Sequence, residues 1–425
     1  MKFLPFYIGF YCFFLFSTIE ISAQSTLQVG LNQVTMKIPP GLPMWGYLPA
    51  RPGTGTLDSL YARIFYLEEG EKNVALVQLD LGRTFGAAQM DRIRKKVKDQ
   101  AKVQQVIFTA THTHSGPYVH DNYENDSPPA WELQILEDIS TGIIEASQSA
   151  FSAKLGYGSG RANIGFNRRY MKTDGSIKML WSNPTKISTY PVDPEVQVLR
   201  IDDEKGQTRG IIVGHACHPV VFGPDNQQYS ADFPGAMAAY VSGQFSGNPL
   251  VAFFQGGCGD INPYMDKRRL EENAVHIMKK AGVELGKEVV KVVNSIAVLP
   301  PQAEALQVQL DTLYFKDKLD AGKNYEAILS VLLLNGVSCF LGYPGEPFVE
   351  FQLEWKRQAG MPAFFMGYTN GYLRYFPTIR ATVEGGYGAR GPMVVVETGA
   401  GERLLHRGLN ILYHLTGKLS RQQRR

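Results

Sequence analysis

Short apolar runs and longer amphipathic stretches alternate along most of the chain. Residues 73–81 and 105–110 are compact apolar runs, and residues 84–101 between them carry apolar positions at helical spacing. A strand, a helix and a strand in this order form a β-α-β unit, which predicts two parallel strands covered by a helix. Further strands are predicted at 210–214, 250–255, 337–342 and 364–367, and long helices at 268–294 and 346–358. The fold class is therefore α/β, with a mixed β-sheet core flanked by helices.

The chain shows no repeat, low-complexity block or linker that would mark a domain boundary. A length of 425 residues would favour roughly two or three domains on size alone. Because apolar runs continue between all the loops, we instead predict a single domain over residues 24–425.

The N-terminus has the pattern of a secretory signal peptide. Lys2 precedes an apolar run from Phe3 to Phe16, and the small residues Ser22 and Ala23 follow it. The run is short for a membrane span, which needs about 20 apolar residues, although an uncleaved anchor is the alternative. We predict that residues 1–23 are a signal peptide and that the mature protein is exported to the periplasm, the cell surface or the medium.

Charge and cysteine content exclude two classes of protein. The 43 basic and 40 acidic residues leave a formal charge of +3, which is too balanced to favour a nucleic-acid partner. Cys12 lies in the predicted signal peptide, so Cys217, Cys258 and Cys339 remain. An odd number of cysteines in an exported chain does not indicate a disulfide scaffold.

Polar residues with metal-binding or catalytic chemistry follow four of the predicted strands. The segments are 111–117, 215–219, 256–260 and 344–346, and they contain histidine, aspartate and glutamate. Open α/β sheets bind their ligands beyond the carboxyl ends of the strands. The sequence therefore predicts one site to which all four segments contribute.

Two histidine pairs are candidate metal ligands. His112 and His114 are two residues apart, so on a regular strand they would face opposite sides. We predict that one is a ligand and the other a catalytic partner; the alternative is that both are hydrogen-bonded loop histidines. Of the second pair, His218 is the better candidate because the following proline restricts its backbone, whereas His215 fits a buried core histidine equally well. Cys217 and Cys258 could bind zinc as thiolates, but they also fit small buried apolar side chains.

Glu346 follows Pro344 and Gly345 and is predicted to open the helix at 346–358. One interpretation is an acid in the first helical turn, which the helix dipole stabilises. The other is a third metal ligand, since two histidines and a carboxylate are typical of hydrolytic zinc sites that keep a position for water.

Four motifs together resemble the catalytic domain of the neutral ceramidase family. They are Thr111-His112-Thr113-His114-Ser115-Gly116-Pro117, His218-Pro219-Val220, Gly259-Asp260-Ile261-Asn262-Pro263 and Pro344-Gly345-Glu346. The first is highly specific, and the others occur in family order. The resemblance runs from about residue 46 to residue 390.

The resemblance implies one zinc ion per chain, held by two histidines, a glutamate and a tyrosine. Carried onto this sequence, these ligands are His112, His218, Glu346 and Tyr375. The tyrosine is matched through Asn370-Gly371-Tyr372-Leu373-Arg374-Tyr375-Phe376-Pro377-Thr378, which is similar to the family pattern N-x-Y-x-x-Y-x-x-T.

The resemblance also implies roles around the metal. Arg168, in the segment Phe166-Asn167-Arg168, matches a residue that contacts substrate. His114 matches a group beside the metal that would carry a proton, and Tyr387 matches a group that faces the oxyanion. The chain departs from the family at Asn262, which stands where the family has a serine implicated in catalysis; an asparagine amide can instead donate a hydrogen bond to an oxyanion.

The expected function is that of an exported zinc-dependent amidohydrolase that cleaves ceramide or a related acylated molecule. The expected partner is therefore a small acylated substrate, of which ceramide at a membrane surface is one case, and no oligomeric state is predicted. Because residue 425 follows soon after the last motif, no room is expected for the family's C-terminal immunoglobulin-like module. The alternatives are a zinc hydrolase for another N-acyl or ester substrate, such as an acylated sugar, and a zinc-containing protein that binds a lipid or glycan without cleaving it.

Overall fold

The computed structural model describes residues 26–123, 127–189, 191–265, 273–302, 304–320 and 322–419. The predicted signal peptide lies outside these residues. The strands are, in chain order, β1 (Gln28–Met36), β2 (Gly55–Thr56), β3 (Leu60–Glu69), β4 (Lys72–Leu79), β5 (Gln105–Ala110), β6 (Phe151–Arg161), β7 (Gly165–Asn167), β8 (Arg169–Met171), β9 (Ile177–Met179), β10 (Glu195–Asp203), β11 (Thr208–His215), β12 (Gln228–Tyr229), β13 (Leu250–Gln255), β14 (Ile261–Pro263), β15 (Leu306–Lys316), β16 (Asn324–Leu334), β17 (Ser338–Gly342), β18 (Glu346–Pro347), β19 (Ala363–Met366) and β20 (Tyr375–Phe376). The α-helices are α1 (Ala87–Ala101), α2 (Ala130–Gln148), α3 (Asp232–Ser242), α4 (Ala274–Ser295), α5 (Val349–Ala359), α6 (Ile379–Glu384) and α7 (Ala400–Leu415).

Two mixed sheets form the centre of the fold. The larger has the strand order β13-β11-β10-β6-β1-β3-β4-β5, and the smaller has the order β15-β16-β17-β19. Parallel pairs occur at β4/β5, β11/β13 and β17/β19, each formed by a strand, a helix and a returning strand. The predicted α/β class and the predicted β4-α1-β5 unit are confirmed.

Successive side chains of a strand point to opposite faces of the sheet and therefore pack into different layers of the fold. On β3, Ile64 and Tyr66 pack with residues of α1 and α2, whereas Phe65 and Leu67 pack between the two sheets. Helices α3 and α4 cover another part of the outer face of the larger sheet. Helices α5 and α7 cover the smaller sheet, with Trp355 fully buried there. The two sheets are therefore packed face to face between layers of helices.

The two edge strands of the larger sheet, β5 and β13, contact each other. The side-chain amide of Gln255, at the end of β13, donates to the backbone oxygens of Thr111 (3.0 Å) and Cys217 (2.9 Å). This side chain links the segments that follow β5 and β11. The carboxyl ends of strands from opposite edges of the sheet are thus held side by side.

Two predicted helices, α4 and α5, begin at residues other than those expected. The predicted helix at 268–294 is observed as α4 from Ala274, while residues 266–272 lie outside the described part of the chain. The prediction that Glu346 opens a helix is wrong, because α5 begins at Val349. Glu346 instead lies in the short strand β18, paired in parallel with β20. Pro347 explains the difference, since a residue before proline is disfavoured in helical conformation.

Candidate metal centre

The loop after β5 positions His112 by two contacts to one neighbouring segment. Its backbone N–H donates to the oxygen of Leu81 (2.9 Å), and its ring Nδ1 lies 2.6 Å from the oxygen of Gly82. Because a carbonyl can only accept, Nδ1 carries a proton, and Nε2 is the ring nitrogen that faces the site. The φ angle of His112 is 67°, a left-handed conformation that is uncommon for residues other than glycine. A ring held through Nδ1 in this way is typical of a metal-binding histidine.

His218 is held in the same manner on the far side of the site. Its backbone N–H donates to the oxygen of Ile261 (3.1 Å), and its Nδ1 lies 3.1 Å from the same oxygen. Burial lowers the pKa of His218 to about 4, so the ring is neutral near pH 7. Its buried Nε2 has no hydrogen-bond partner among the described residues. His215 differs, since it ends β11 and its Nδ1 contacts the oxygen of Glu195 at 2.9 Å.

Glu346 faces both imidazoles. Its Oε2 lies 3.4 Å from Nε2 of His112 and 3.4 Å from Nε2 of His218. The hydroxyl of Tyr372 donates to Oε1, and the hydroxyl of Tyr368 lies 3.5 Å from Oε2. Burial by itself would raise the pKa of Glu346, but the two histidines hold it well below its usual range. The carboxylate is therefore ionised in the interior of the protein.

His114 completes a cluster of three imidazoles. β5 ends at Ala110, so both histidines of the loop are free of strand alternation, and Nε2 of His114 lies 3.2 Å from Nε2 of His112. Gly46, with a φ of 101°, leaves room for this ring, since a Cβ there would lie 2.4 Å from it. The candidate ligand atoms of His112, His114 and His218 lie within 4.8 Å of one another. The structure thus adds His114 to the candidate ligands, and its predicted role as proton carrier stays a prediction.

Arg168 connects the remaining predicted residues. Its Nη2 donates to the hydroxyl of Tyr375 (3.0 Å) and to the oxygen of Gly259 (2.6 Å), and its Nη1 donates to Oδ1 of Asn262 (3.1 Å). The Arg168 guanidinium also lies over the ring of Tyr387, with Cζ 5.2 Å from the centroid. Asn262 reaches this position because β14 pairs with β7, directly before Arg168. The four residues are adjacent, and their individual roles stay predictions.

Three residues of the site escaped the sequence analysis. Tyr372 and Tyr368 both contact Glu346, and the ring of Tyr368 stacks on His112 with centroids 4.0 Å apart. Tyr47 contacts His114 edge to face, with centroids 5.1 Å apart. The segment with the first two tyrosines follows β19, a fifth strand end, so the rule used for the other four strands would have found it.

The cysteines act as buried thiols. Sγ of Cys258 lies 3.1 Å from the hydroxyl of Tyr368, while Cys217 packs in the core under α3 and α4. Burial raises the pKa of both thiols well above the usual value. Cys339 is also buried and free.

The histidines and Glu346 fit a metal ion of the size of zinc. Ligand atoms that share a tetrahedral zinc ion at about 2.1 Å lie about 3.4 Å from one another. The corresponding contacts here are 3.2 Å between His112 and His114 and 3.4 Å from Glu346 to His112 and to His218. Nε2 of His218 is a further sign, because it is buried and forms no hydrogen bond even though Oε2 of Glu346 lies 3.4 Å away, whereas buried polar atoms normally have a partner.

Comparison with known proteins identifies the family. The family described as neutral/alkaline non-lysosomal ceramidase, N-terminal, matches residues 28–278, more than half of the chain. The chain belongs to this family. The matched region includes His112, His114, Arg168, His218 and Asn262.

Individual relatives agree with this assignment. Neutral ceramidase of Pseudomonas aeruginosa is 27% identical over 221 residues, which cover 48% of this chain and 32% of that protein, so the match spans about a third of the relative. A crystal structure of neutral ceramidase from the same organism superposes with a TM-score of 0.75 at 16% identity, covering 93% of this chain and 75% of the other. A structure described as ceramidase complexed with C2 gives a TM-score of 0.76 at 16% identity, and the match covers 93% of this chain and 76% of the other. These structural matches show the same fold as a ceramidase.

Proposed function

We propose that this protein is a zinc-dependent amidohydrolase that cleaves the N-acyl amide of ceramide or a closely related molecule. The observation that carries the proposal is the convergence of His112, His114 and His218 with the ionised carboxylate of Glu346. Membership of the ceramidase family and the name of the Pseudomonas aeruginosa relative support an amide as the bond that is cleaved. We assign His112, His218, Glu346 and Tyr375 as the residues that hold the metal.

A zinc ion in such a site polarises a carbonyl group and lowers the pKa of water to about 7. Proton transfer and the positioning of polar groups are assigned to residues of the chain. His114, whose Nε2 reaches the metal-binding atoms, accepts and returns a proton. Arg168 is buried and keeps its guanidinium directed at Tyr375 and Asn262, which positions polar donors beside the scissile group. Tyr387 is 38% exposed and its ring lies over Arg168, and we assign its hydroxyl group as a donor to the oxyanion.

Asn262 favours one variant of this proposal. Its Oδ1 is occupied by Arg168, so the amide nitrogen is the group left to contact a substrate. An amide donor in place of a hydroxyl changes the hydrogen bonds that a bound acyl compound must satisfy. A related acylated molecule, such as an N-acyl sugar or an ester, is therefore the second candidate substrate.

The proposal is tested on purified full-length protein by elemental analysis and by turnover of three substrates. The substrates are a short-chain ceramide analogue, an N-acetyl sugar and a simple ester, each assayed before and after chelator treatment and again after zinc is restored. We expect about one zinc per chain and turnover of an amide that the chelator abolishes and zinc restores. A protein that binds zinc but is inert on all three substrates would instead support the binding-only alternative.

We also propose that the chain is exported after removal of residues 1–23. The support is the basic, apolar and small-residue pattern of the N-terminus. Among the described residues, no helix is both long and apolar enough to cross a bilayer. N-terminal sequencing of protein from the medium or the periplasm should begin at Gln24 or Ser25, and a chain that still begins at Met1 would contradict cleavage.

A further inference from the structure

A cavity of about 710 Å³ lies away from the metal centre, where the edge strand β13 approaches β1 and β3. Strands β1 and β3 form one wall, and α3, α4 and β13 form the other. None of the candidate metal ligands lines it. Its volume is within the range of small-molecule sites, about 300–1,000 Å³.

The wall formed by α3, α4 and β13 is mainly apolar, with Lys279 and Ser242 among its polar residues. It presents Ala236 and Ala239 from α3, Met278 and Val283 from α4, and Val251 from β13. Small side chains leave the width of the cavity open, and a methionine adapts to irregular shapes. An alkyl chain bound there would lose its contact with water, which stabilises binding in proportion to the area buried.

The strand wall carries an arginine whose side-chain hydrogen bonds all come from one nitrogen, Nη1. Arg63 is only 5% exposed, and its Nη1 donates to Asp80 (2.8 and 2.9 Å) and to Oε1 of Gln78 (2.9 Å). Among the described residues, no group bonds to its Nε or Nη2. These two atoms form the edge of a guanidinium that binds a carboxylate through two parallel hydrogen bonds.

The other charged groups of the lining are one cation and one acid, while Asp80 balances the charge of Arg63. Lys279 of α4 is a second cation in the lining, and Asp58 is the one acid in it. The Asp58 carboxylate already accepts from the hydroxyl of Ser230 (2.5 Å) and the backbone N–H of Ala231 (2.8 Å). Asp80 is fully buried beneath Arg63 and holds it in place.

We infer that this cavity binds an amphipathic carboxylate, the chemical class of a fatty-acid anion. The carboxylate occupies the Nε and Nη2 edge of Arg63 with Lys279 nearby, and the alkyl chain lies against α3 and α4. The inference rests on the cavity alone, so it stands or fails independently of the proposed hydrolase activity.

Isothermal titration calorimetry of the full chain with sodium octanoate, and with octanol as the neutral control, tests the inference. We expect one octanoate per chain, bound at least about 10-fold more tightly than octanol, because hydrogen bonds to a charged group are lost in the alcohol. The octanoate affinity should be the same before and after a chelator removes bound metal. Equal affinity for octanol, no binding at millimolar octanoate, or loss of binding with the metal would each overturn the inference.

Three variants locate the bound molecule. Ala239→Trp fills the cavity from an exposed helical position and should abolish octanoate binding without loss of the fold, checked by circular dichroism. Arg63→Lys keeps a charge beside Asp80 but removes the two-atom edge, so affinity should fall about 10-fold or more.

The third variant has a matched control on the same helix. Lys279→Gln should weaken binding about 2- to 5-fold, while Lys280→Gln, an equally exposed neighbour outside the cavity, should leave it unchanged. Wild-type affinity in Ala239→Trp, or equal effects of the two lysine variants, would overturn the assignment even if Arg63→Lys does not fold.

Discussion

Glu346 and Asp260 are two carboxylates in similar positions whose pKa values are shifted in opposite directions. Each is 2% exposed, and each follows a glycine-containing turn at the end of a strand. Glu346 faces two imidazoles, and its pKa is held well below the usual range. Asp260 accepts from the backbone N–H of Val349 (2.9 Å) and from the amide of Asn167 (2.7 Å), and burial raises its pKa to about 6.

The difference shows that the neighbours of a buried carboxylate, and not its burial, indicate its role. Neutral amide donors satisfy Asp260 and attach the start of α5 to β7, so this residue maintains the fold around the site. Glu346 is instead surrounded by imidazole and phenol groups that can bind a metal or move protons. A buried ion of this kind is costly unless it is compensated, which a metal ion would do.

The largest expected effect is that of Glu346→Gln. The amide is neutral and nearly isosteric, so we expect most of the zinc and all measurable turnover to be lost while the fold is retained. Elemental analysis with circular dichroism measures both. Glu350→Gln, which removes the acid in the first turn of α5, is the control and should keep the metal. Full zinc in the Glu346→Gln protein would show that this carboxylate is not a ligand.

The next effect is that of His114→Ala, which separates a proton carrier from a ligand. If His114 carries a proton, zinc should be retained and kcat should fall by about 10²–10⁴-fold. Zinc content and kcat are measured together, with His406→Ala, an exposed histidine of α7, as the control. Parallel loss of zinc would assign His114 to the metal with His112 and His218, as their proximity allows.

A smaller effect on stability is expected from Asp260→Asn. The folded-state pKa of Asp260 is raised from 3.8 to about 6, so the folded protein binds more protons than the unfolded chain between these values. Its contribution to stability is therefore fully present below about pH 4 and is lost as the pH rises through about 6. Across that window the wild type should lose about 1–3 kcal/mol from this residue, and the asparagine variant should not.

Denaturant unfolding from pH 4 to pH 8 measures this difference. Asp91→Asn on the exposed face of α1 is the control, and both variants should keep their zinc. Loss of zinc from Asp260→Asn would place this carboxylate in the same class as Glu346 and remove the contrast between them.

The smallest effect is expected from Asn262→Ser. The shorter side chain cannot replace the bond from Arg168, so the pocket should change its hydrogen bonding while the metal stays bound. We expect the ratio of kcat/KM among the ceramide analogue, the N-acetyl sugar and the ester to change more than the total activity. Activity that appears only in the serine variant would show that Asn262 has inactivated the site.

Much of the fold and part of the site followed from sequence. Compact apolar runs located β5 and β13 at their observed bounds, because each strand is buried on both faces. The polar segments that follow the predicted strands identified the histidines as candidate ligands. The start of α5 differs from the predicted one because Pro347 disfavours a helical conformation at Glu346, and the helix begins at Val349. Tyr368 and Tyr372 were missed because tyrosine is common in the chain and their partner is distant in sequence.

The α/β class, the β4-α1-β5 unit and the candidate metal ligands could be predicted from the sequence alone, since they depend on local periodicity and on motifs. Which of those residues lie close together depends on the tertiary structure. Edge strands β5 and β13 come together, and Gln255 links the segments that carry His112 and His218. The parallel pairing of β18 with β20 brings Glu346 beside Tyr375. These contacts join residues far apart in the chain, and they form because packing the two sheets buries their apolar faces, which no local pattern specifies.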